Sequence, residues 1–315
     1  MKIKREDIEI ISRHSNWSEQ RVANLLKKEV YNTKTAWHKF LSLFFISLGI
    51  GFTTAGIIFF FAYNWADLHK FLKIGLVISL IISSTLFVLL SKLDLQLKNI
   101  ILTGASVIVG VLFAVFGQIY QTGANAYDFF LGWTIFITLW VVIANFAPLW
   151  LVFIILVNTT LVLYVEQVSY GWSELTLLTT LIALNAFFLL LSLTIKKYSK
   201  NIQVPIWFSK LLALGTIYLS TSGIITSIFT HDQSILPPLY LLCCILYAAG
   251  IYYGLSQKRI FYLAIIYVSL IFIIVSLLIK AADNEGMFFL ITVFVIFSTT
   301  LAVKGIIKLQ KKWNN

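Results

Sequence analysis

The sequence predicts an all-α integral membrane protein of about ten transmembrane helices, with both termini on the cytoplasmic side and a short helical segment before the first span. Three observations carry this: the composition, the length of the uncharged runs, and the sidedness of lysine and arginine. The 315 residues are 59% hydrophobic and 12% charged, against about 25% charged in ordinary soluble domains. So apolar a chain cannot bury its surface in one aqueous core, and a bilayer must be its solvent. Phe40 to Tyr63 is uncharged for 24 residues, more than the ~20 that a helix needs to cross ~30 Å of hydrocarbon.

The same criterion marks further spans at about 71–91, 100–121, 129–145, 148–165, 175–195, 211–230, 237–256, 260–279 and 287–303. The fourth and fifth need separating, because Phe129 to Val165 is one uncharged run of 37 residues. A single helix of that length would reach about 55 Å, far beyond the bilayer. Asn145-Phe146-Ala147-Pro148 supplies the turn that divides it. The spans form a transmembrane domain over 40–303, preceded by a basic helical segment, 1–39, and followed by a basic tail, 304–315. Within the first segment, Asn16-Trp17-Ser18-Glu19 predicts a capping box that opens a helix, with Val22, Leu25, Leu26 and Val30 at helical spacing. A first short helix is expected over Glu6 to His14. No cleavable signal peptide is expected, since the first apolar run begins only at Phe40 and is too long for a signal core.

Charge tests the span count independently. With ten spans and a cytoplasmic N-terminus, 21 of the 24 Lys and Arg fall inside, and only Lys70, Lys73 and Lys280 outside. Fusing the fourth and fifth spans would flip every later loop and divide the cations equally, 12 against 12. The positive-inside rule therefore selects ten. The acidic residues Asp67, Asp128, Glu166, Glu174, Asp232, Asp283 and Glu285 fall outside. The net charge of +11 is thus an orientation signal and a surface for an anionic inner leaflet. It is no nucleic-acid footprint, because the basic residues are spread over separate segments along the chain.

Chemistry-bearing motifs are sparse. Cys243 and Cys244 are adjacent in an apolar run, so no disulfide framework and no thiolate metal site is expected. His14, His38, His69 and His231 are dispersed, and no Gly-rich phosphate loop, nucleophile elbow or paired carboxylate on one helix occurs. The expectation is a non-enzymatic protein without metal or cofactor. No span carries an ionisable residue near its middle, which argues against a deep proton or sodium relay.

The one break in the apolar pattern is the end of the third span and the loop beyond it, where Gln118, Tyr120, Gln121, Asn125 and Asp128 follow one another. At about 100° per residue, Ser106, Gly110, Ala114 and Gly117 share a face of the third helix that runs into Gln121 and Gln118. Ser47, Gly51 and Ala55 give the first helix the same four-residue spacing of small side chains. Such spacing lets helices approach closely in lipid. The first and third helices are therefore expected to pack together, with Asn64, Trp65 and Asp67 nearby at the outer end of the first. These eight polar and aromatic residues, Asn64, Trp65, Asp67, Gln118, Tyr120, Gln121, Asn125 and Asp128, are the candidate ligand-binding group.

Two readings of that group compete. Its side chains either satisfy backbone left free at the helix ends, with the aromatic rings forming an interfacial belt, or line an outward cleft that recognises or transports a small polar ligand. The first favours a non-catalytic structural subunit of an envelope complex. A third reading, an enzyme acting on lipid-linked substrates, requires Asp128, Glu166 and Asp232 to converge.

The string FGQIYQTGANAYDFFLGW from Phe116 to Trp133, with NWADLHKFLKIG from Asn64 to Gly75 and the short charged N-terminal segment, resembles the bacterial membrane-protein family catalogued as domain of unknown function 2157. The resemblance covers about residues 1–170 and places motif positions at Asn64, Trp65, Asp67, Gly117, Gln118, Tyr120, Gln121, Gly123 and Asp128. It implies a multi-pass inner-membrane protein without an assigned activity. It also implies a partner, a second membrane protein named for a Gly-Asp-Tyr motif.

Overall fold

A computed structural model describes residues 8, 11–12, 14–31, 33–63, 69–120, 125–198, 204–230, 236–282 and 286–314. Among them every regular element is helical, and ten helices are long and apolar enough to cross a membrane. They are α1 (Lys34–Tyr63), α2 (Lys70–Leu90), α3 (Leu95–Tyr120), α4 (Ala126–Ala144), α5 (Ala147–Gln167), α6 (Glu174–Tyr198), α7 (Ile206–Phe229), α8 (Leu236–Ser256), α9 (Ile260–Lys280) and α10 (Gly286–Asn314). The break between α4 and α5 falls at the expected place. Asn145 takes the left-handed conformation, φ 43° and ψ 47°, and its N–H donates to Val141 O at 3.1 Å. Asparagine tolerates that conformation better than other non-glycine residues, and Pro148 in the next first turn needs no amide hydrogen there.

Several helices outrun the uncharged stretches that marked them. α1 starts at Lys34 instead of Phe40, α3 at Leu95 instead of 100, and α10 continues through 304–314. An absence of charge marks only the hydrocarbon depth. A helix continues through the interface, where long cationic side chains keep their stems on apolar surface and their heads in water. At the end of α10, Lys311 and Lys312 also complement the carbonyl end of the helix dipole.

A short helix, Glu19–Leu25, precedes α1 and passes into a π-type turn, Leu26–Val30. Ser18 is its N-cap with extended backbone, but the Ser18 side chain makes no capping hydrogen bond. The helix expected there is present, while the capping box is not. Of the earlier helix expected over 6–14, Ile8, Ile11 and Ser12 are described as helical, and Ile8 is buried.

The chain divides after α3 into two compact units, Met1–Tyr120 and Gln121–Asn315. In the first unit α3 is the central helix, packed by α1 and by α2. Ala105, Ile108, Val109 and Val115 of α3 and Val77 and Ile81 of α2 are buried there. In the second unit α7 is central, with α6 and α9 its main neighbours. Its buried face alternates large residues, Phe208, Leu212, Ile217 and Ile228, with small ones, Ser209, Ala213, Thr216, Ser220, Gly223 and Ser227. Small side chains maximise backbone approach where no hydrophobic effect drives helices together.

Polar side chains pin the helix seams of the second unit. Thr134 and Thr160 meet at 3.5 Å between α4 and α5, and Asn158 and Asn185 pair between α5 and α6. Ser269 of α9 meets both Thr221 of α7 and Tyr247 of α8 at 2.6 Å. Lys280 at the end of α9 donates to Ile228 O near the end of α7. Most of the hydroxyls also donate to a carbonyl three or four residues back, which satisfies them within hydrocarbon at little cost.

Candidate functional site

Asn64, Trp65, Asp67 and Gln121 of the sequence-predicted group lie outside the described residues. Gln118 and Tyr120, at the end of α3, belong to the first unit; both are exposed, and the rings of Phe116 and Tyr120 stack obliquely with centroids 4.6 Å apart. Asn125 and Asp128 belong to the second unit and serve the start of α4. Asn125 is the N-cap, Asp128 is the third helical residue, and Asn125 N–H donates to Asp128 Oδ2 at 3.1 Å. The carboxylate also sits where the positive end of the helix dipole favours it. Tyr127 N–H donates to Gln167 Oε1 at 3.1 Å, and Tyr127 packs edge-on against Tyr164, which ties the start of α4 to the end of α5. Gln167 therefore provides for an otherwise unpaired first-turn amide, a role that no local spacing announces. Replacing Asp128 by Ala, which removes the acceptor of the Asn125 N–H, should cost about 1 kcal/mol, visible as faster amide exchange in the first turn of α4.

The expected packing of the first helix on the third is present, and one close approach among the described residues is at Gly104. A Cβ on Gly104 would lie 2.8 Å from Ile50 Cγ2 and 3.3 Å from Thr54 Oγ1, whereas one on Gly51 would meet nothing within 4 Å. Ser47 is exposed and its hydroxyl donates to Leu43 O; Ala55 is half-buried. Along α3, Ser106 is buried, Gly110 and Gly117 are half-buried, and Ala114 is exposed. Among the described residues, this close contact falls one position along α1 from Gly51 and Ala55. Ile50 and Thr54 supply the contact that a search for small residues on both helices passes over.

A cleft of about 680 Å³ lies within the second unit between α6 and α8, floored by α7 and α9. The two ends of α8 pack against different neighbours. Toward the start of α8, Leu239 and Cys243 join Leu175 and Ile182 of α6 in one buried cluster. Toward its end, α8 leans on α9 through Gly250 and Gly254. A Cβ on Gly250 would lie 2.7 Å from Ile266 Cδ1, and one on Gly254 would lie 2.9 Å from both Cγ and Cδ2 of Leu263. Two glycines four residues apart allow that approach, and the gap left between α6 and α8 is the cleft.

Its chemistry is graded. The deeper walls are Leu189 and Leu193 of α6, Ile217 of α7, Leu246 of α8, and Ile265 and Ile266 of α9. The end at which α6 finishes and α9 begins carries Thr194, Tyr252, Tyr253, Ser256, Gln257 and Tyr262. Tyr253 and Tyr262 meet edge to face with centroids 5.0 Å apart. Thr216 in the floor donates to Leu212 O, and Thr194 to the carbonyls of Leu190 and Leu191. A smaller cavity of about 70 Å³ lies near Asn145, Trp150, Ser192 and Phe208. Among the described residues, no group of three His, Cys, Asp or Glu side chains is placed to hold a metal ion.

Ten apolar helices joined by short connections, with polar side chains satisfied along their seams, define a multi-pass α-helical membrane protein. Residues 17–150 match the family model of domain of unknown function 2157, described as a predicted membrane protein. That stretch holds α1 to α4 and the first residues of α5, so the cleft of the second unit lies outside it. No curated protein and no solved structure matches the chain.

Proposed function

We propose that the chain is a non-catalytic multi-pass protein of a bacterial inner membrane, with both termini cytoplasmic, that recognises a small ligand in the cleft between α6 and α8. The carrying observation is that cleft: about 680 Å³, within the ~300–1,000 Å³ typical of small-molecule sites. The sequence favours recognition or transport of a small polar ligand at the outer ends of α1, α3 and α4. There Asn125 and Asp128 are occupied with the first turn of α4, which supports a structural role for them. The cleft of the second unit supports recognition of a ligand at a different place. Under the lysine and arginine distribution, the polar end of the cleft faces the cytoplasm.

The capped start of α4 supports a second reading, a structural subunit of an envelope complex whose partner is a membrane protein bearing a Gly-Asp-Tyr motif. Mass spectrometry of the intact protein, purified gently from its own membrane, separates the two. A retained small molecule that is lost on Ala249→Trp, which fills the α8 wall, supports the cleft. Co-purification of a stoichiometric membrane protein with an empty cleft supports the subunit. For orientation, a C-terminal fluorescent-protein fusion should fluoresce and a C-terminal alkaline phosphatase fusion should be inactive; the reverse pattern would sink the proposed topology.

A further inference from the structure

Resting on the cleft reading above, we infer that its occupant is one acyl chain of an anionic lipid drawn sideways from the adjoining leaflet, with the headgroup held by the basic rim of Lys210, Lys258 and Arg259. The deep part of the cleft can recognise hydrocarbon and little else. Its side chains are aliphatic, and the hydroxyl of Thr216 is already donated to the backbone. A polar ligand would be desolvated there without new donors. The tyrosines, Ser256 and Gln257 at the other end suit the glycerol and ester level of a lipid, where aromatic rings with polar tips concentrate at membrane interfaces.

The rim fixes the sign of the headgroup. Lys258 and Arg259 directly follow the lining residues Ser256 and Gln257, and both are exposed. Lys258 is held in a left-handed conformation, φ 50°, and Arg259 N–H donates to Gly254 O at 2.8 Å, so this turn is closed against the end of α8. Lys210, near the start of α7, holds its ammonium 5.1 Å from the centre of the Phe261 ring, beside the lining residue Tyr262. Neither the 196–210 connection nor the 256–259 turn contains an Asp or Glu. Cations with no local carboxylate to neutralise them are complementary to a phosphodiester and not to a cationic or polar ligand. The route in is lateral, since Leu190 on one lip and Tyr252 on the other are exposed, Tyr252 by 74%.

The test uses the full chain in detergent, exposed to phosphatidylglycerol or phosphatidylcholine of identical chains, with retention read by mass spectrometry of the intact complex. The parent should retain phosphatidylglycerol about tenfold or more over phosphatidylcholine, the order expected from two or three basic residues at a membrane surface. A Lys258→Gln, Arg259→Gln double variant should equalise the two lipids while still binding both. Ala249→Trp and, from the opposite wall, Thr194→Trp should lose both, each checked for an unchanged unfolding midpoint. Equal retention of both lipids by the parent, abolished by the tryptophans, would overturn the headgroup assignment and leave the cleft standing. Retention unchanged by either tryptophan in a folded protein would overturn the cleft itself.

Discussion

Gly254→Leu is expected to destabilise the protein by about 1–3 kcal/mol, the range for forcing methylenes into a packed seam, and to loosen α8 from α9. The Cβ alone meets Leu263 at two atoms, 2.9 Å from Cγ as well as Cδ2, with Arg259 O 3.5 Å away. Leu263 is buried, 4% exposed, and a Cγ cannot swing aside as a terminal methyl can. Relief must therefore come from the backbone, by moving α8 away from α9 and toward α6. The cleft should narrow in the same step that stability falls. Gly250→Ala provides the graded comparison, since its one close contact is the terminal Cδ1 of Ile266, which a rotamer change can remove. Thermal unfolding of the two variants in one detergent, together with lipid retention, checks the pair. A Gly254→Leu protein as stable as the parent would show that the glycines do not hold α8 against α9.

That glycine pair also shows what the sequence made legible and what it did not. The spans were readable because hydrocarbon excludes charge over a fixed thickness, and the α4–α5 break because Asn145 and Pro148 each have a local reason to end or begin a helix. The packing seams were harder. Small residues recur on several faces of apolar helices, so their spacing alone does not pick out a contact such as that of Ile50 and Thr54 with Gly104. Gly250 and Gly254 carry the same four-residue signal in a single helix and were open to the same reading. The cleft itself has no local signature. It arises because one helix touches α6 at one end and α9 at the other, and its walls are separated by some fifty residues of chain that only tertiary packing brings together. The Asn125–Asp128 pair is the opposite case: its spacing is that of a capping box, and its position within a conspicuously polar string drew attention to ligands instead.

The second large effect is expected at Asn185. Its amide donates to Asn158 Oδ1 at 2.6 Å and to Leu181 O at 2.9 Å, and Asn158 Nδ2 lies 3.5 Å from Asn185 Oδ1 and 2.7 Å from Ile154 O. Asn185 is buried in α6, and the pair joins α5 to α6 at depth in the spans. Asn185→Leu removes the shorter inter-helix bond and leaves Asn158 Oδ1 without it in the middle of the spans. The cost should be about 1–2 kcal/mol, near the upper end for inter-helix hydrogen bonds in membranes. The informative variant is the double one. Replacing both asparagines by leucine removes the orphaned acceptor as well as the bond, so the double variant should be more stable than the sum of the single changes implies. If the pair serves only to join the helices, lipid retention in the cleft should be unchanged in all three proteins, because neither asparagine lines it. Additive losses across the cycle, measured by unfolding in one detergent, would show instead that each amide acts mainly through its own backbone bond within its helix.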